Sequence, residues 1–94
     1  MKIIRTQTAI GDLKAVRDYI TQTDPQAAQR VTIKLYDAAS MLAQFPASGR
    51  SGRIPNTREL IISDLPFIIP YKVDEKCVQI LAIMHTSRKW PDRF

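Results

Sequence analysis

Two amphipathic helices separated by a three-residue break constrain this chain more than any other feature in it. From Thr8, the residues Ala9, Leu13, Val16 and Ile20 recur at helical spacing, with Asp12, Lys14, Arg17 and Asp18 turned away from them. Thr8 reads as the cap, and Gly11 weakens the first turn by about 1 kcal/mol relative to alanine. Thr23-Asp24-Pro25 then breaks the pattern and restarts it. Asp24 is a good N-cap, and Pro25 suits the first helical position, where a missing N–H costs nothing. Beyond it Ala28, Val31, Leu35, Ala38, Leu42 and Phe45 follow at steps of three and four, with Gln29, Arg30, Lys34 and Asp37 facing outward. Helices joined by so few residues must fold back as an antiparallel hairpin, here running from Thr8 to Phe45.

On either side of the hairpin the period becomes two. Lys2–Arg5 is a short β-prone run that needs strand partners. Residues Pro46–Asn56 form a loop holding two of the three glycines. Strands are expected at Thr57–Ser63, Phe67–Val73 and Cys77–His85, with turns at Asp64–Pro66 and Asp74–Lys76. Pro70 removes a ladder donor from the middle strand, so a bulge or an unpaired edge must sit there. A basic tail, Thr86–Phe94, closes the chain. The order is β-α-α-β-β-β, an α+β fold in which the helical hairpin covers one face of an antiparallel sheet. Its 94 residues suit a single domain with a thin core. Leu13, Val16, Ile20, Val31, Leu35, Leu42, Phe45, Ile69 and Ile80 are expected in that core, and the other sheet face is left free to bind.

Fourteen Lys and Arg against nine Asp and Glu give a net charge of +5, which favours anionic partners without choosing among them. Met1–Arg5 is too short and too charged for a signal peptide, and no run approaches the ~20 apolar residues of a membrane span. The lone Cys77 has no internal disulfide partner and reads as a small hydrophobe; no Cys/His spacing suggests zinc, and no glycine-rich nucleotide loop is present. The expectation is a cytoplasmic protein with no membrane contact, no metal and no cofactor.

Few residues can carry chemistry. Arg50, Arg53 and Arg58 lie in a stretch that holds no acid before Glu59. Arginines on a glycine-bearing loop suit phosphate or an acidic partner, because a guanidinium makes two parallel hydrogen bonds to such groups; a solvated loop is the plainer alternative. His85 is the only histidine and the only unperturbed proton switch near neutral pH. It reads either as a general acid or base on RNA or as a structural group bonding the tail backbone. Trp90 can stack on a base, though a tryptophan near a terminus more simply plugs the open end of a small core. Tyr71 reads as core with a polar handle. Glu59 is a base or an ion-pair partner, and nothing in the sequence separates the two.

In their order and spacing, these segments resemble the RelE/ParE toxin superfamily over nearly the whole length. The matching residues are Ala9, Asp12-Leu13, Tyr19-Ile20, Asp24-Pro25, Ala27-Ala28, Phe45-Pro46, Gly49-Arg50, Gly52-Arg53, Thr57-Arg58-Glu59-Leu60, Leu65-Pro66, Tyr71, Ile80-Leu81, His85 and Trp90-Pro91. The resemblance implies the toxin of a type II toxin–antitoxin pair. A cognate antitoxin would neutralise it, and operator DNA would be met only through the antitoxin complex. RelE-like members cut mRNA on the ribosome without metal, whereas ParE-like members poison DNA gyrase. Only Arg58, Glu59 and His85 carry over as catalytic, and the basic residue that nucleases of this family place on the strand is absent from Phe67–Tyr71. The resemblance therefore leans to the gyrase branch, with Arg50, Arg53, Arg58, Arg88 and Lys89 as target-binding residues and mRNA cleavage as the alternative.

Overall fold

The structure, a computed structural model, describes residues 1–91 and 94; Asp92 and Arg93 of the expected basic tail lie outside the described residues. Strand β1 (Lys2–Arg5) leads into helices α1 (Gln7–Thr21) and α2 (Pro25–Met41). Strands β2 (Arg50–Ser51), β3 (Arg58–Ile61), β4 (Phe67–Val73), β5 (Cys77–Ile80) and β6 (Met84–His85) follow.

The hairpin forms much as its periodicity and caps dictate, with two corrections. Helix α1 begins before Thr8: Thr6 is the cap, accepting from the Ala9 N–H at 3.1 Å. Asp24 caps α2 as expected, accepting from the Ala27 N–H at 3.1 Å, with Pro25 in the first turn. At its far end α2 tightens. Leu42, Ala43 and Gln44 each donate to the carbonyl three residues back, a winding nearer 120° than 100° per residue. Phe45 is thereby carried off the apolar stripe and is 55% exposed, not core.

The core lies between the hairpin and one sheet face. Ala9, Leu35, Ala39 and Leu42 meet Ile62, Phe67, Ile69, Tyr71, Val78 and Ile80 there. Of the other expected core residues, Leu13, Val16 and Val31 pack against this cluster only half-buried, and Ile20 is also half-buried. From Tyr19 to Gln29 only Ala28 is buried, so the core thins toward the turn between the helices.

The sheet order is β1-β5-β4-β3-β2, with β6 also paired to β4. It is mixed rather than wholly antiparallel, because β1 runs parallel to β5 in the register Lys2↔Cys77 to Arg5↔Ile80. A parallel pair needs a long connection, and nearly the whole chain lies between these two strands. Periodicity reveals a strand but not its direction.

Pro70 explains the second departure. Its carbonyl accepts from the Leu81 N–H at 3.0 Å, so its donorless nitrogen faces the same side. There the expected strand Cys77–His85 breaks in two. Tyr71 pairs with Ile80 and Ile68 with Met84, which sets Leu81, Ala82 and Ile83 against Ile69 and Pro70 alone. This is the bulge that the proline demanded, placed in the facing strand. Helix α1 satisfies it: the Thr6 hydroxyl donates to the Leu81 carbonyl at 3.0 Å, and the Asp12 carboxylate accepts from the Ile83 N–H at 2.9 Å. Asp12, expected to face solvent, instead joins the two layers.

Leu35 has no exposed surface, so Leu35→Ala is expected to lower stability by about 2–5 kcal/mol. Gly11 has open space where a Cβ would sit, so Gly11→Ala should stabilise by about 0.5–1 kcal/mol. Urea denaturation checks both, and equal midpoints for Leu35→Ala and the parent chain would refute the placement of Leu35.

Candidate functional site

The loop between α2 and β3 is built on two buried polar groups. The first is the Tyr71 hydroxyl, which donates to the Pro46 carbonyl and accepts from the Gly49 N–H, each at 2.8 Å. Tyr71 is fully buried, as its strand parity suggested. A Cβ on Gly49 would lie 2.6 Å from that hydroxyl and 2.8 Å from the Glu59 carbonyl, so only glycine permits this approach. Gly52 is held as closely against Thr57, and Asn56 supplies the left-handed turn at φ 65°.

The second group is the Glu59 carboxylate, 2% exposed. Glu59 pairs with Arg50 on one side and Pro70 on the other, so all three share the sheet face turned away from the helices. Arg50 donates from Nε and Nη2 to Oε1 at 3.2 and 3.0 Å. The Arg53 N–H donates to Oε2 at 2.8 Å, and its guanidinium Nε lies 3.6 Å from the same oxygen. Burial pushes this carboxyl's pKa up, but the Arg53 N–H, the Arg50 guanidinium and the Arg53 charge outweigh it and hold it below its ordinary value. Glu59 is thus an ionised ion-pair partner whose oxygens are already engaged.

Arg53 also reaches the tail. Its guanidinium carbon sits 3.8 Å from the centre of the Trp90 ring, and the Phe94 ring stands edge-on to Trp90 at 6.3 Å. Trp90 is half-buried and absent from the core cluster. It does not plug the core; it gives one face to Arg53 and so fastens the tail to the loop. The preceding Arg88 and Lys89 are exposed.

The other candidates point elsewhere. Arg58 pairs with Tyr71 on the helix-side face and donates to the Ala47 carbonyl at 3.0 Å, with its Nε buried and unpartnered. His85 pairs with Phe67, and their rings meet edge-on at 5.3 Å. Its Nδ1 accepts from the Ser87 N–H at 3.1 Å, with the Ser87 hydroxyl 2.7 Å away. Phe67 and Tyr71 are four residues apart on β4, about 13 Å at the strand rise, and β3 and β6 flank β4 from opposite sides. Arg58, Glu59 and His85 therefore do not converge.

One cation and one contact escaped the sequence reading. Lys72, two residues beyond Pro70, is an exposed cation on the same face as Glu59; its parity with Pro70 was the available signal. The Cys77 thiol donates to the Asp74 carboxylate at 3.2 Å, which, with burial, raises its pKa and keeps it protonated. No signal in the sequence announced that contact.

Comparison with known proteins adds the family context. Residues 3–90 match the family model described as the ParE toxin of the type II toxin–antitoxin system parDE. The Y4kP protein of Sinorhizobium fredii is 45% identical over 92% of this chain and 88% of its own. Toxin RelE2 of Caulobacter vibrioides is 40% identical over 93% of this chain and 97% of its own. Among solved structures, the chromosomal ParDE toxin–antitoxin system from P. aeruginosa superposes with a TM-score of 0.85 at 28% identity, covering 93% of this chain and 97% of that one.

Glu59 sets a pH dependence. Its pKa in the folded chain is depressed, so its contribution to stability is full above the unfolded-state value and is lost as pH falls through the folded one. Glu59→Gln should cost about 1–3 kcal/mol at pH 7, and the gap from the parent should close as pH falls below the ordinary glutamate range. Denaturation midpoints between pH 7 and pH 3 test this; a gap independent of pH would exclude an ionised Glu59.

Proposed function

The chain belongs to the ParE toxin family of type II toxin–antitoxin systems, and from that premise we propose that it arrests growth by inhibiting DNA gyrase, without cutting mRNA. The reading rests on the separation of the three residues available for RNA cleavage. Attack by a 2′-hydroxyl needs a base, an acid and a cation around one phosphate. Glu59 is consumed by Arg50 and Arg53 on one sheet face, while Arg58 and His85 belong to the other, on opposite sides of β4.

A cognate antitoxin completes the reading. With a net charge of +5 on the toxin, an acidic antitoxin should associate at a rate that falls steeply with salt. Growth arrest on expressing this chain alone, relieved by co-expressing the neighbouring gene, is the expected phenotype.

The target is tested with purified toxin in two cell-free assays: supercoiling by DNA gyrase, and mRNA cleavage on translating ribosomes. Gyrase inhibition without cleavage is expected. His85→Ala should leave inhibition in place, at a higher toxin concentration at most. Ribosome-dependent cleavage that His85→Ala lowers by ~10²–10⁴-fold would replace this reading with general acid–base catalysis on RNA.

A further inference from the structure

The sheet face turned away from the helices has an unusual distribution of charge. Of the residues in the described strands, Lys2, Arg50 and Lys72 are its cations and Glu59 its one acid, while Arg5, held against Ser40 and Tyr36 of α2, and Arg58 lie on the helix side. That one acid is 2% exposed and lies beneath two arginines, so it presents no negative surface. The Arg50 and Arg53 side chains remain 53% and 49% exposed. Arg50 spends Nε and Nη2 on Glu59, which leaves the donors of Nη1 without a partner among the described residues. Lys72 rises from the same face, and Trp90, stacked on Arg53, brings Arg88 and Lys89 within two residues of the cluster. Residues 38–58 and 76–91 contain no acid at all.

We propose that this face, with the tail clasped to it by Arg53 and Trp90, binds the phosphodiester backbone of duplex DNA through Arg50, Arg53, Lys72, Arg88 and Lys89. Exposed guanidinium and ammonium groups suit phosphate when, among the described residues, the one carboxylate beside them is buried beneath them. The choice of duplex over single strand follows from the aromatic residues. Single-stranded nucleic acid is held by stacking its bases on open rings. Here one face of Trp90 is covered by Arg53 with Phe94 set edge-on to the ring, Tyr71 is buried, and Phe67 packs into the core on the other side. Among the described residues of this face and tail only the Phe94 ring stays open, at 41% exposed, and one open ring among five cations favours reading backbone over bases. Trp90 acts as a positioning residue: it touches no DNA itself but fixes where the tail cations lie. The inference does not require gyrase to be the target.

The test is fluorescence anisotropy of a labelled 20-base-pair duplex titrated with the purified full chain at several salt concentrations. Binding should weaken with salt at a logarithmic slope of about −0.9 per phosphate contact. The double variant Arg88→Glu with Lys89→Glu should bind at least tenfold more weakly, with the slope reduced by about 2. Lys14→Glu with Arg30→Glu changes net charge equally from the helical hairpin and should bind like the parent chain. Trp90→Ala should lose part of the affinity, and Trp90→Phe, which keeps a ring for Arg53, should restore most of it. Equal weakening by the two charge-reversed doubles would overturn the site, since net charge alone would then account for binding. Tighter binding of a single-stranded RNA of equal length would overturn the assignment to duplex. The titration contains no gyrase, so losing DNA binding while gyrase inhibition persists defeats this inference and leaves the proposed target standing.

Discussion

The sheet hangs on strand β4, and β4 carries a proline at its centre. Phe67–Val73 pairs with β3 along one side and with β5 and β6 along the other. Pro70 has no N–H to offer on the β5 side, so the facing strand cannot run straight past it. The chain leaves the ladder after Ile80 and regains it at Met84. Its unpaired backbone groups would be costly if buried without partners, and α1 supplies those partners from Thr6 and Asp12. A missing donor in the sheet thus sets where the first helix must start and how its first turn faces the sheet. Thr6 does this with one hydroxyl, accepting from Ala9 to cap the helix and donating to Leu81 to hold the bulge.

On the other side of β4 the organising group is a charge. Arg50 and Arg53 both turn to Glu59, and Gly49 can lie flat against Tyr71 only because it lacks a side chain. An ion pair with one buried member seldom adds much stability, because removing the carboxylate from water offsets most of the Coulomb gain. Its return is geometric. Two guanidinium groups that would sweep a wide volume on free side chains are fixed by a single anchor. The wide Arg53 plane gives Trp90 a surface to rest on, so the tail inherits that order.

The parts of this fold that were legible in the sequence are those set by local periodicity and caps. Asp24-Pro25 starts α2 where its chemistry says it must, and Phe67–Val73 has the bounds that alternation gave it. The demand for a bulge or an unpaired edge at Pro70 was legible too, since a proline's missing donor is a property of one residue. What escaped depends on contacts distant in sequence. The direction of β1 is set by a strand more than seventy residues away. Asp12 looked like a solvated residue of a helix face because its partner, the Ile83 N–H, exists only once the bulge has formed. Phe45 continued an apolar stripe by spacing alone, and three tightened hydrogen bonds turned it outward. In the candidate site, the arginine loop was visible as composition. The division of Arg58, Glu59 and His85 among two faces and two flanks of β4 was not, because it needs strand register.

Strand register also turns a modest net charge into a directed one. Spread evenly, +5 over a chain of 94 residues gives a weak field with no preferred face. Here the remaining described acids of the second half, Asp64, Asp74 and Glu75, fall outside the strands, and two of them are engaged by other groups. Asp64 pairs with Lys34 of α2, and Asp74 accepts from the backbone of Lys76 and Cys77. The strands keep five cations and bury their one carboxylate. Moving a single acid from a turn to an outward strand position would leave composition and net charge unchanged and still place a carboxylate among these arginines. What the chain presents to an anionic partner is therefore fixed less by how many charges it holds than by the parity with which β3 and β4 deal them to the two sides of the sheet.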